Sequence, residues 1–303
     1  MNEILKNSLI AHYTFDDSSE IGKDISGNGM NAQAKGRSLP FTEMVDGRNA
    51  LKMTGGKNGT CYLELPENIL ENVSDLGGVT LSAWIYPEHG TNVWERLFDF
   101  GEAPEKPNFF VTRNLRSVCY NDGDLLADPV MALPMNQWTH VAVVVSGTKD
   151  GTLSSAGPIV YINGEIAADG SISQTSSGTY AKLRKWFATF EDKQNYSHNY
   201  IGRSQYKSDD DFVGCITDVR IFSDALSEYD ILEIMCDCLT DEAIVNLAKE
   251  KFLETPVKIA IGDYFLPTSL VGEKVQVKWT SDNTSAIQMM ESFWISLLLL
   301  LSP

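Results

Sequence analysis

Glu228, Asp230 and Glu233 form an E-x-D-x-x-E run, the densest grouping of carboxylates with a spacing that could do chemistry. Cleavage of a glycosidic bond needs two carboxyl groups about 5–5.5 Å apart across the scissile bond when configuration is retained. The flanking residues argue for another use. Ser227 followed three residues on by Asp230 spells a capping box, with Leu226 and Ile231 placed as a hydrophobic staple. A helix over about 228–235 is therefore expected. On a helix Glu228 and Asp230 point about 200° apart, and Glu233 lies about 140° from Glu228. The three do not converge on one substrate, and the run carries no catalytic assignment. The remaining constellations are absent: no His-Glu-x-x-His, no Gly-x-Ser-x-Gly and no Gly-rich phosphate loop. The four histidines, His12, His89, His140 and His198, are scattered. His12 and His140 sit inside strand patterns, which suits packing or hydrogen bonding. Asp209, Asp210 and Asp211 read as a solvated loop.

Aromatic faces offer a different chemistry. An exposed ring matches the C–H face of a sugar, and neighbouring polar side chains can take its hydroxyls. Trp94, Tyr120 and Trp186 lie near turns and loop-like stretches, with Asn121, Asp122 and Arg203 as polar company. These six are the candidate ligand-binding residues.

The elements that must position them read as β structure. Short β-branched and aromatic runs broken by Gly, Asn and Asp fill residues 8–222, which points to a sandwich or barrel. Asn163-Gly164 marks a hairpin tip, because a type I′ turn needs positive φ at both central residues. The run Thr80–Tyr86 alternates, so one face is expected buried and the other wet. Helical spacing appears late, in Ala243, Ile244, Leu247, Ala248 and Phe252, and Pro256 stops it.

Bulk properties bound the rest. With 303 residues and a hydrophobic fraction of 43%, the chain can hold one large β domain and a small second unit. A net charge of -17 disfavours nucleic-acid backbones and anionic membrane surfaces as partners. Five cysteines in irregular spacing build no disulfide framework, and Cys236-x-Cys238 lacks the second pair a zinc site needs. Residues 1–10 carry no continuous apolar run, so no signal peptide is visible. The apolar stretch 295–301 is too short to span a bilayer.

Six motifs in order resemble one family. They are LIAHYTFD at 9–16 with DISGNG at 24–29, VTLSAWIYP at 79–87, QWTHVAV at 137–143, YING at 161–164, YIGR at 200–203, and GCITDVRIF at 214–222 with ALS at 225–227. Together they resemble laminin-G-like (concanavalin-A-like) jelly-roll domains over residues 8–235. The resemblance implies an all-β, two-sheet antiparallel jelly-roll sandwich, of the kind often appended to secreted glycoside hydrolases or adhesins. It places Trp84 and Trp138 in the core. It also implies a structural calcium ion where the first and last strands meet, with Asp16, Asp24, Asn28 and Asp218 as the oxygen donors by position. Thr217 stands where the family is often acidic. Calcium needs six to eight hard oxygens, which several loops would have to supply.

The tail resembles a bacterial Ig-like domain through Ile259, the LPT step at 266–268 and VKWTSDN at 277–283. That pattern breaks after Ile287. The expected organisation is a laminin-G-like domain over 1–238, a partial Ig-like domain over 239–287 and an aberrant apolar tail over 288–303. The expected function is a non-catalytic, glycan-binding accessory module of a larger, secreted bacterial glycoside hydrolase; the alternative is a structural or protein-adhesion module without a sugar site. A monomer located outside the cell or at its surface is expected, with a cytoplasmic fragment as the other possibility.

Overall fold

The computed structural model describes residues 3–70, 73, 78–88, 93–101, 108–120, 124–129, 133–146, 157–170, 198–254, 269–270, 275–281 and 295–301. It divides into two compact units, Met1–Leu226 and Ser227–Pro303. The first unit opens with helix α1 (Glu3–Ser8) and continues with strands β1 (Leu9–Tyr13), β2 (Gln33–Lys35), β3 (Phe41–Val45), β4 (Arg48–Lys57), β5 (Tyr62–Leu65) and β6 (Gly78–Pro87). Next come β7 (Arg96–Gly101), β8 (Asn108–Thr112), β9 (Ser117–Tyr120), β10 (Asp124–Ala127) and β11 (Thr139–Ser146). The last are β12 (Gly157–Ile162), β13 (Glu165–Asp169), β14 (His198–Ile201) and the long β15 (Asp210–Phe222).

Pairing sorts these strands into two antiparallel runs. One is β13-β12-β11-β6-β15, with β4 and then β3 against the first half of β15 and β1 against its second half. The other is β10-β9-β8-β7-β14-β5-β2. A single parallel pair, Asp211 with Arg96, joins them. Alternate residues of both runs meet in one core. Val79, Leu81, Ala83, Ile85, Val141, Val143, Ile216 and Ile221 come from the first run; Leu63, Phe98, Phe100, Phe109, Val111 and Ile201 come from the second. Each of these Val, Leu, Ile and Phe side chains contributes about 1.5–3 kcal/mol by leaving water. This is the jelly-roll sandwich expected from the resemblance.

The β12–β13 hairpin turns on Asn163 and Gly164, both at positive φ. Asn163 also fixes the neighbouring strand: its Oδ1 accepts from the His140 amide at 3.0 Å. The β3–β4 hairpin uses the same device at Asp46 and Gly47.

Two expectations are corrected here. Strand β6 is buried on both faces, not one. Its polar face is covered by other parts of the chain: Thr80 Oγ1 donates to the Asp224 carbonyl, Ser82 meets His140, and Trp84 lies under the Arg48 guanidinium at 4.1 Å. The Asp209–Asp211 run is a staple rather than solvated skin. Asp211 is buried and accepts from the Gly59 and Thr60 amides, Asp209 pairs with Arg96 at 2.8 Å, and Asp210 pairs with Lys57 at 3.3 Å.

The second unit carries α2 (Glu228–Cys236), α3 (Asp241–Glu254) and a sheet β16 (Ser269–Leu270), β17 (Val275–Ser281) and β18 (Ile295–Leu301) in that spatial order. The capping box is formed: the Ser227 hydroxyl accepts from the Asp230 amide, and the Asp230 carboxylate accepts from the Ser227 amide. The apolar stretch 295–301 is an antiparallel partner of β17, with Leu297 opposite Trp279. No helix among the described residues is long and apolar enough to cross a membrane.

Candidate functional site

Three polar clusters stand out in the first unit. The first lies where β1 meets the end of β15, and it contains the four residues expected to hold calcium. Asp218 sits at φ 49° in a bulge between Thr217 and Arg220. A bulge re-aims a side chain locally. Here it brings Asp218 Oδ1 to 2.5 Å from His12 Nε2 and to 3.0 Å from both Nε and Nη2 of Arg220. Asp24 is buried, and its carboxylate accepts four hydrogen bonds: from the His12, Ser26 and Met30 amides and from the Ser26 hydroxyl. Burial pushes the Asp24 pKa up, but these donors outweigh it and hold the carboxyl below its usual range. Asn28 turns its amide nitrogen to the carbonyls of Leu9 and Ile10. Asp16 is exposed and meets Asn49 Nδ2 at 3.4 Å.

This donor set does not fit calcium. The Asp24 oxygens are taken by N–H and O–H donors, Asn28 presents its nitrogen to β1, and a guanidinium already neutralises Asp218. Arg220 supplies the positive charge beside Asp218 within β15, and His12 links Asp218 to the first strand. Chelator-stripped protein is accordingly expected to melt at the same temperature with and without added calcium, as read by differential scanning fluorimetry. A saturable rise in Tm would show that these residues rearrange into an oxygen shell.

The second cluster lies on the covered face of β6 and β11. His140 is fully buried, with Nε2 3.0 Å from Ser82 Oγ and its ring edge-on to Trp84 at 5.4 Å. Burial drives its pKa down to about 3, opposed by the nearby Asp218 charge. The imidazole is therefore neutral and serves packing. Trp138 is half-buried and donates Nε1 to the Val45 carbonyl.

The third cluster gathers at one end of the sandwich around Arg96, which is 2% exposed. Its Nη1 donates to the Trp94 carbonyl at 2.7 Å, Nη2 pairs with Asp209, and Nε lies 3.4 Å from Asp99 Oδ2. The guanidinium stacks 3.9 Å above the Phe110 ring, with the Trp94 and Tyr206 rings each at 5.8 Å. Asp99 also accepts from the Gln205 amide and side chain. Burial nevertheless raises its pKa to about 6, against the lowering pull of Arg96. The Arg113 amide donates to the Glu95 carbonyl at 2.8 Å. The segment 94–96 is thus held from both sides, and it presents the Trp94 indole at 38% exposure. Val93 and Met135 are also exposed nearby, and Arg116 lies 5.1 Å from the Trp94 ring centre.

The sequence-predicted ligand residues therefore separate. Trp94 is on this corner. Arg203 is elsewhere, its guanidinium held between Tyr62 at 4.6 Å and Tyr200 at 4.5 Å. Tyr120 ends β9 opposite Asn108 and Asp124. Asn121, Asp122 and Trp186 lie outside the described residues. Sequence reasoning passed over Arg96, Arg113 and Arg116. An arginine opening the strand-like run 96–100, two residues after a tryptophan and three before Asp99, was the available signal.

Comparison with known proteins accords with this architecture. A family model described as the concanavalin A-like lectin/glucanases superfamily, of laminin-G type, matches residues 57–232. The chain belongs to this superfamily. No curated protein matches this superfamily member. Among solved structures it is similar to domain 4 of a GH43 extracellular arabinanase from Geobacillus stearothermophilus in complex with arabinotriose. That match has 18% identity and a TM-score of 0.47, over 75% of this chain and 98% of that one. A Trypanosoma rangeli sialidase in complex with sialic acid matches at 16% identity and a TM-score of 0.49, over 76% of this chain and 33% of that one. The receptor binding domain of a botulinum neurotoxin C/D mosaic serotype matches at 15% identity and a TM-score of 0.49, over 77% of this chain and 52% of that one. The chain thus spans about a third of the sialidase and about half of the toxin domain.

Proposed function

We propose that this lectin/glucanase-superfamily chain is a non-catalytic carbohydrate-binding module and that Trp94 is the ring a sugar stacks on. The observation that carries the reading is a rigidly held, solvent-facing indole. Its carbonyl is clamped by a buried arginine and the next residue by the Arg113 amide. A platform ordered before binding loses little entropy when a ligand arrives. The E-x-D-x-x-E run contributes no competing active site in this reading, because Asp230 is engaged in the helix cap.

The wider context belongs to the same proposal. The module is secreted and serves as an accessory domain of a glycoside hydrolase, with the second unit as an Ig-like linker. The support is the resemblance of residues 241–287 and the β17 strand that bears Trp279. The other reading, a protein-adhesion module, draws on the same corner. Val93, Trp94 and Met135 form exposed apolar surface that a protein could cover.

Titration calorimetry against a panel of plant and host oligosaccharides tests the proposal. Trp94→Ala is expected to weaken binding about 30-fold, the effect of losing one hot-spot ring worth about 2 kcal/mol, with Tm unchanged. Wild-type protein that gives no heat with any glycan would overturn the carbohydrate reading and favour adhesion.

A further inference from the structure

We infer, resting on the Trp94 reading, that this corner selects sugars bearing a carboxylate, such as uronic acids, and that Arg116 receives that group. The surface is acidic as a whole, with 24 Lys and Arg against 41 Asp and Glu. A solvent-reachable guanidinium beside one exposed indole, that of Arg116, is therefore a local exception. Arg116 lies 5.1 Å from the Trp94 ring centre. Arg113 is tied to the same segment through the Glu95 carbonyl, and its Nη1 rests 3.6 Å from the Met135 sulfur. A thioether is a weak acceptor.

The reachable donors are those of Arg116, whose side chain is 36% exposed. Arg113 is largely buried and stays paired with the buried Glu95 carboxylate. Nη1 of Arg116 stands 3.4 Å from Asp128 Oδ2, beyond normal hydrogen-bond length. The Arg116–Asp128 pair is also solvent-exposed on both sides. Exposed pairs of this kind contribute about 0–1 kcal/mol. A ligand carboxylate can therefore displace Asp128 at little cost. Arginine suits the task because its planar fork grips a carboxylate through two parallel N–H···O bonds. The apolar face of the ring would then lie on Trp94, next to Val93 and Met135, while the acid group meets the guanidinium donors.

The test compares a uronic-acid trisaccharide with its methyl ester by calorimetry on the full chain. A charged hydrogen bond contributes about 1.5–3 kcal/mol, so the free acid should bind about 10- to 150-fold more tightly than the ester. Arg116→Gln should remove that preference while Tm stays unchanged, and added salt should weaken the acid but not the ester. Equal binding of acid and ester, with both lost in Trp94→Ala, would overturn the selectivity and leave the stacking platform standing. Failure of both ligands, alongside neutral oligosaccharides, would overturn the selectivity and the platform together. A preference for the acid that survives Arg116→Gln would also overturn the assignment.

Discussion

Replacing Arg96 with methionine is expected to destabilise the first unit by about 3–5 kcal/mol, the effect of leaving a buried charge without its partner. Arg96 is 2% exposed and Asp99 is fully buried beside it. The guanidinium also neutralises Asp209 and closes the 94–96 segment onto the rest of the corner. Methionine fills much of the volume and supplies none of the donors. Asp99 must then take up a proton or expose itself to water. A double variant, Arg96→Met with Asp99→Asn, removes the orphaned charge and is expected to recover part of the loss. Urea unfolding read by tryptophan fluorescence decides the matter. A loss below about 1 kcal/mol in the single variant would mean that the Asp99 and Asp209 carboxylates do not depend on Arg96. The same variant should weaken any ligand that depends on Trp94, because the indole loses the contact that orders its backbone.

The second large effect is in the pH dependence of stability, where two buried groups oppose each other. The pKa of His140 is about 3 in the fold, against 6.5 for a free imidazole. Between those values the unfolded chain holds a proton that the folded chain lacks. Stability from this source is complete above about pH 6.5 and falls as the pH drops, by about 1.4 kcal/mol per unit. Asp99 behaves in the opposite sense. Its pKa is about 6 in the fold against 3.8 for a free carboxyl, so between these values the folded chain holds the extra proton. Acidification through that window strengthens the fold by the same slope. The two contributions cancel between about pH 4 and 6, and below that His140 acts alone. His140→Gln is expected to unmask Asp99. Relative to wild type, its stability should rise by about 1.4 kcal/mol for each unit of acidification from pH 6 to 4. Urea midpoints collected across that range for both proteins give the difference directly. Parallel curves would show that His140 titrates normally and is not shielded by the sheet.

Much of the scaffold was legible because strand and turn signals are local. Asn163-Gly164 marked its hairpin, and Ser227 with Asp230 marked the start of α2, since both depend only on backbone conformation a few residues away. Asp46-Gly47 carried the same turn signal as Asn163-Gly164 but went unread. The flanking residues of β3 and β4 do not alternate clearly, as their mixed burial shows. The second face of β6 misled for another reason. Its pattern is that of a half-wet strand, yet Arg48, His140 and Asp224 arrive from other parts of the chain and satisfy its polar groups.

The candidate site was the least legible part. Trp94 could be placed near a turn, but its exposure depends on how Arg96 and Arg113 hold the segment. The calcium set illustrates the same limit. Position alone gathered Asp24 and Asp218 at one end of the sandwich, and they do flank His12 there. Which atoms face them was set by a bulge in β15 and by Arg220, neither of which position reveals.

By itself the sequence determined a β sandwich or barrel and the helix that begins after Ser227, because periodicity and capping act over neighbouring residues; the jelly-roll class came from the resemblance of six ordered motifs. Only the tertiary structure decided which polar groups meet. His12 and Asp218 stand 206 residues apart in the chain and 2.5 Å apart in the fold. Their partnership follows from strand register and a bulge, and these emerge only when the whole sandwich has closed.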